Sequence, residues 1–128
     1  MRLLLDTHTF LWFIDDSPRL SAHAKSLLES DAELLLSTVS LWEIAIKLSI
    51  GKLALARPFD VFIPEQLAFN SIKELSIGLK HLAVVSALAF PHRDPFDRLL
   101  IAQAITESLP IVSADAALIY IRSKGYGN

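Results

Sequence analysis

Three times in this chain a short apolar run ends in a small polar or acidic residue. The runs are Leu3-Leu4-Leu5-Asp6-Thr7, Leu34-Leu35-Leu36-Ser37 and Ile111-Val112-Ser113, the last followed by Asp115. Continuous apolar runs of this length read as strands buried on both faces, as in the middle of a parallel sheet. The segments between them carry apolar residues at helical spacing. Alternating strands and helices need right-handed crossovers, and these lay helices over both faces of the sheet. The expected fold is therefore α/β, with a mostly parallel central sheet of about four to five strands, in a single domain over residues 1–128.

In order, Arg2–Asp6 is the first strand and Thr7–Ile14 a largely buried helix, with Thr7 as its cap. Asp15-Asp16-Ser17-Pro18 punctuates the chain. A second helix runs from about Ser21 to Glu29. After the second strand, Thr38 or Ser40 caps a helix over roughly Val39–Ile50 that Gly51 ends. Phe59–Phe69 reads as a helix that Pro64 would kink or split. Ile72–Leu75 is a further strand. Ile77–Leu88 reads as a helix packed through Leu79, Leu82, Ala83 and Val85. Phe96–Glu107 has the clearest helical pattern, followed by a strand within Leu109–Ser113 and a short final helix over Asp115–Ile121.

Hydrophobic residues make up 52% of the 128, and the mean hydropathy is +0.44. Such a surplus fits a doubly covered sheet and an apolar surface covered by a partner. No apolar run approaches the roughly 18 residues of a membrane span. The N-terminus lacks the basic start and long apolar stretch of a secretory signal, so the expected location is cytoplasmic and no membrane partner is expected. With no cysteine, disulfides and thiolate metal sites are excluded. The formal net charge is −2, which is not the footprint of a protein held on nucleic acid by bulk charge. Action on a polyanion would need a local basic rim and bound cations.

The acids carry the chemistry. Asp6 ends the first strand, Glu43 lies early in the helix after the second, Asp97 lies in the first turn of a helix, and Asp115 follows the last strand. Each has a plain structural reading: Asp6 and Asp115 as caps, Glu43 as an i,i+4 partner of Lys47, and Asp94-Pro95-Phe96-Asp97 as a capped helix start. Together, however, they all fall just past a strand or in opening helical turns, places that share one edge of a parallel sheet. Carboxylates gathered there would repel one another unless a cation intervened. Hard oxygen donors suit Mg²⁺ or Mn²⁺, and such a site activates water against a phosphodiester.

Four segments, LLLDTHTFLW, LLLSTVSLWEIAIKLSIGKL, DPFDRLLIAQA and LPIVSADAAL, together resemble the PIN-domain nucleases, and specifically the VapC-type toxins of bacterial toxin–antitoxin pairs. The resemblance spans nearly the whole chain. It implies a Mg²⁺- or Mn²⁺-dependent endoribonuclease, a homodimer, and a cognate VapB-like antitoxin that lays a helix in an apolar groove. Asp6 and Asp97 match the acids expected to bind the metal most directly. Glu43 matches the helix glutamate that completes the set or orients water, and Asp115 the last, supporting acid. Ser113 matches the small hydroxyl residue beside that acid, and Thr7 is a further supporting candidate. Asp94 competes with Asp97, but the spacing to Ile101-Ala102 favours Asp97. The chain departs from the family at its end: Arg122–Asn128 is not strand-like, which leaves a fifth strand open.

Arg98 and Lys47, with Arg93 and Lys52, are candidates for a basic rim that meets RNA. His8 and His92 read better as structural histidines than as ligands, and Trp12 and Trp42 better as core or dimer residues than as base platforms. Two rival functions put acids or the same fold to other use. A phosphoacceptor or phosphatase domain would want a second acid near Asp6, where position 8 is histidine. A catalytically inert RNA- or antitoxin-binding module would not need the acids intact.

Overall fold

The computed structural model describes residues 1–88, 94–113 and 118–119. The elements are β1 (Arg2–Leu5), α1 (Thr7–Ile14), α2 (Ala22–Leu28), β2 (Glu33–Ser37), α3 (Thr38–Ser49), α4 (Phe59–Phe69), β3 (Ile72–Leu75), α5 (Leu79–Ala87), α6 (Pro95–Glu107), β4 (Ile111–Val112) and β5 (Leu118–Ile119). The sheet order is β3-β2-β1-β4-β5. The first four of these strands are parallel neighbours, and β5 runs antiparallel to β4.

Alternation along the strands builds two cores. Leu3 and Leu5 pair in register with Leu34 and Leu36. They face a cluster filled by Phe10 of α1, Ala24 and Leu28 of α2, Ile44 of α3 and Ile63 of α4. Leu4 points the other way. It joins Leu35, Ile111, Val39 and the α6 residues Leu99, Leu100 and Ala104. All three leucines of β1 are fully buried, which is why that strand carries no alternating polar residue. Burying each one contributes roughly 1.5–3 kcal/mol.

The chain order defines where a ligand sits. From β1 the chain moves outward to β2 and β3, then returns to the opposite side of β1 for β4. This reversal opens a crevice at the carboxyl ends of β1 and β4. Asp6 stands at one lip and Ser113 at the other, and the Asp6 N–H still donates to the Val112 carbonyl at 3.3 Å.

Several sequence expectations are corrected here. Asp6, not Thr7, caps α1, and Ser37, not Thr38 or Ser40, caps α3. In each case the last residue of the strand-to-helix turn has the extended backbone that a cap requires. α4 runs unbroken through Pro64, whose ring lies on the exposed side. The expected packing of α5 through Leu79, Leu82 and Ala83 is not found: Leu79 is 83% and Leu82 47% exposed, and Ala83 is exposed. The residue buried from that helix is His81, with Val85 four residues on packed at the second core. Residues 118–119 are strand rather than part of a final helix. The remainder of the expected Asp115–Ile121 helix lies outside the described residues.

His81 explains the choice of face. Its Nδ1 accepts the Gly78 N–H at 2.8 Å, closing the start of α5, where glycine has no side chain to cap with. That fixes the proton on Nε2, which donates to Glu107 of α6 at 2.8 Å. Lys80 adds a cationic contact to the same carboxylate oxygen at 2.9 Å. A polar ring thus takes the inward position that apolar spacing would have given to leucines.

A second polar tie joins α6 to the strand edge. Gln103, fully buried in α6, accepts from the Ser37 hydroxyl and donates to the Ser76 carbonyl at 3.3 Å. Ser37 Oγ in turn accepts the Val39 N–H at 3.0 Å and so caps α3. On the solvent side, Trp42 of α3 meets the Phe96 ring of α6 edge-on at 5.1 Å.

Two outcomes test these ties. Gln103→Leu leaves the Ser37 hydroxyl and Ser76 carbonyl without their partner, and should cost about 1–3 kcal/mol in urea unfolding. For Glu107, the hydrogen bond from His81, then that from Lys80, holds the carboxyl below its ordinary value of 4.5. A lowered folded value means stability present above the unfolded pKa and lost as pH falls through the folded one. Wild type should therefore lose stability below about pH 4.5 more steeply than Glu107→Gln, as read by melting temperature across acid pH. Equal acid slopes would contradict the assignment.

Candidate active site

The crevice is lined by residues that the strand-to-helix turns put in place. Asp6 has the extended backbone of a cap (φ −78°, ψ 167°). Its Oδ1 accepts the Thr9 N–H at 2.8 Å, while Oδ2 has no hydrogen-bond partner among the described residues. The α1 dipole adds a partial positive charge beside the carboxylate. One oxygen is thus committed to the helix and the other is available to a ligand.

Two buried hydroxyls lock this turn to its neighbours. Thr7 donates to Ser40 Oγ in the first turn of α3 at 2.9 Å. Thr9 donates to the Val112 carbonyl at the end of β4 at 2.8 Å. The position of Asp6 is therefore fixed against both the helix that carries Glu43 and the strand that leads to Asp115. Thr7 is legible in the sequence as a supporting residue and Ser40 only as a candidate helix cap, whereas Thr9 and Gln103 are not marked there. The signal available was hydroxyl and amide side chains standing inside otherwise apolar helices, where an unpartnered polar group would be costly.

Glu43 lies in the second turn of α3. Its Oε2 pairs with Lys47 Nζ at 3.1 Å, the i,i+4 bridge expected on structural grounds. The Glu43 side chain is only 14% exposed, so this pair is more than a solvated surface contact. The ammonium offsets the carboxylate's charge.

Asp94 caps α6 with Oδ1, accepting from the Phe96 N–H at 2.9 Å and the Asp97 N–H at 3.4 Å. The cap is thereby supplied by Asp94, with Pro95 following in the first turn. Asp97 lies in that same turn and is exposed. The Arg98 guanidinium donates to the Val85 carbonyl in α5 at 3.4 Å, so at least this part of it serves the α5–α6 packing. Ser113 is buried just past β4. Asp115, His92 and Arg93 lie outside the described residues.

Among the described residues, no three acidic or histidine side chains are grouped as a metal site. By the elements that carry them, Asp6, Glu43 and Asp97 fall past the carboxyl end of β1 or in the opening turns of α3 and α6. The donor chemistry suits a hard divalent cation: carboxylate oxygens only, no thiolate, and free oxygens on Asp6 and Glu43.

Comparison with known proteins adds to this geometry. The chain is 30% identical over 119 residues to Ribonuclease VapC22 of Mycobacterium tuberculosis, covering 91% of this chain and 88% of that protein. Its fold is similar to a chain in the crystal structure of VapBC2 from Rickettsia felis bound to a DNA fragment from their promoter. That match has a TM-score of 0.65 and 17% identity over 88% of this chain and 87% of the other. The model of the PIN domain matches residues 3–123. With a sheet of order 3-2-1-4-5 and a match along nearly its full length, the chain belongs to the PIN-domain family.

Proposed function

We propose that this protein is a Mg²⁺- or Mn²⁺-dependent endoribonuclease and the toxin of a toxin–antitoxin pair. The observation that carries the reading is the placement of Asp6 at the β1–β4 crevice, one oxygen held by α1 and the other free. Glu43 and Asp97 stand on the adjoining turns. The likeness to a ribonuclease over nearly the whole chain supports it.

In this reading Asp6 and Asp97 hold the metal most directly. Glu43 completes the set or orients the attacking water, and Asp115 supports from the end of β4. The divalent ion, when bound, supplies the charge that polarises the phosphodiester and makes water a nucleophile near neutral pH. The protein's own share is orientation. Thr7 and Thr9 hold the Asp6 turn, Ser113 lines the far lip, and Asp94 keeps the α6 start in place so that Asp97 is presented there. Lys47, already beside Glu43, is placed to meet the RNA backbone near the cut. Arg98 is a weaker candidate for this, since it reaches the α5 backbone.

A VapB-like antitoxin and a second copy of the chain are the expected partners. The exposed Leu79 and Leu82 of α5 and Trp42 of α3 are apolar surface of the kind that a partner covers. No described helix is long and apolar enough to cross a membrane.

Asp6→Asn is the sharpest variant, because asparagine caps a helix about as well as aspartate. Its melting temperature should stay near that of wild type while metal-dependent RNA cleavage falls by about a hundredfold or more. A folded Asp6→Asn protein that cleaves RNA at the wild-type rate would refute the proposal.

A further inference from the structure

Among the ion pairs of the described residues, two carboxylates are largely shielded from solvent, Glu107 at 17% and Glu43 at 14% side-chain exposure. The others are at least 39% exposed. Glu107 has a plain task in the fold, since His81 and Lys80 reach it from α5 and so join α5 to α6. Glu43 has no such task. Its partner Lys47 stands four residues on in the same helix, so the bridge at 3.1 Å joins no two elements. Lys47 is drawn in with it, at 30% exposure where the other paired lysines are at least 43% exposed. Shielding both charges costs desolvation that their mutual attraction repays only in part. A shielded ion pair that ties nothing together points to a carboxylate kept for a ligand.

The pair is also only half closed. Lys47 holds Glu43 Oε2, and no hydrogen bond or ion pair reaches Oε1 among the described residues. Lys47 further lines a cleft of about 520 Å³ that Glu43 does not line. The flexible four-carbon stem of lysine therefore has open space to enter when the ammonium leaves the bridge. Arg19 and Lys52 line the same cleft against one carboxylate, Asp15. These like charges favour the bridge as long as Glu43 has no other cation.

We propose that Lys47 is a built-in counter-ion for Glu43, which holds the carboxylate in the metal-free protein and competes with a divalent cation for it. The proposal rests on the nuclease reading, in which Glu43 is one of the carboxylates that meet the metal. In the metal-free protein, Lys47 neutralises a shielded charge that would otherwise stand unpaired. When an ion is bound, Lys47 gives up Glu43 and enters the cleft. Lys47 acts through Glu43 and so is a positioning residue: it sets the metal concentration at which the site loads.

Mn²⁺ binding to the full-length, antitoxin-free protein, followed by electron paramagnetic resonance, separates this claim from the reading beneath it. Lys47→Met keeps an apolar stem and removes the charge, and should tighten Mn²⁺ binding by about fivefold. Lys47→Arg keeps the charge and should stay within about twofold of wild type. In a Glu43→Gln background the competition has no object, and Lys47→Met should change binding by less than about twofold. Melting temperature gives a second readout. In chelator, Lys47→Met should melt below wild type, because Glu43 is left shielded and unpaired. Mn²⁺ should then raise the melting temperature of Lys47→Met by more than it raises that of wild type. If Lys47→Met binds Mn²⁺ no more tightly than wild type while Asp6→Asn still weakens binding, the counter-ion is overturned and the nuclease reading stands. Mn²⁺ binding that Asp6→Asn and Glu43→Gln both leave unchanged would remove the metal site, and the counter-ion with it.

Discussion

The structure depends on one constraint: β1 is buried on both faces and sits in the middle of the sheet. Leu3, Leu4 and Leu5 leave no room for a polar residue until the strand ends. The first carboxylate therefore appears at the strand's carboxyl end, where the chain must turn into α1. Because β2 and β4 flank β1 on opposite sides, that same point is the crevice where the sheet order reverses. The apolar strand and the acid are one device. The strand cannot shift register without moving Leu4 out of one core and Leu3 and Leu5 out of the other, so Asp6 is held in position along the strand.

Hydroxyl groups fix the remaining degrees of freedom. Thr7 to Ser40, Thr9 to Val112 and Ser37 to Gln103 are buried bonds that cross between elements. They link α1, α3, β4 and α6, the elements that carry or lead to the candidate acids. Each bond adds only about 1 kcal/mol, but a buried hydroxyl without its partner would cost more. The tie is thus directional: it disfavours alternative packings of these helices. Lys47 contributes in a different way, offsetting the charge of the largely buried Glu43 through an i,i+4 bridge.

Much of this was legible from residue order. The triple leucine runs gave the strands and their two-faced burial, and α1 over Thr7–Ile14 and α4 over Phe59–Phe69 match the spacing. The acids at strand-to-helix turns were visible because such turns recur with the same grammar. What the sequence hid was polar. A cap shifted by one residue, as at Asp6 and Ser37, depends on backbone angles that residue type alone does not set. The inward face of α5 was misread because Leu79 and Leu82 outweigh His81 on any apolar scale, yet only His81 has partners on both sides in Gly78 and Glu107. Thr9 and Gln103 gave no motif, only the anomaly of polar groups in apolar helices. The pair 118–119 is too short for periodicity to tell strand from helix.

The central claim is that carboxylates on separate turns share one divalent ion at the β1–β4 crevice. A Mn²⁺ titration of the pure, antitoxin-free protein, followed by electron paramagnetic resonance, tests it most directly. The account predicts saturable Mn²⁺ binding that weakens by about tenfold or more in Asp6→Asn and again in Asp97→Asn, with both variants folded. Mn²⁺ binding that is absent from wild type, or that survives unchanged in both variants, would contradict it.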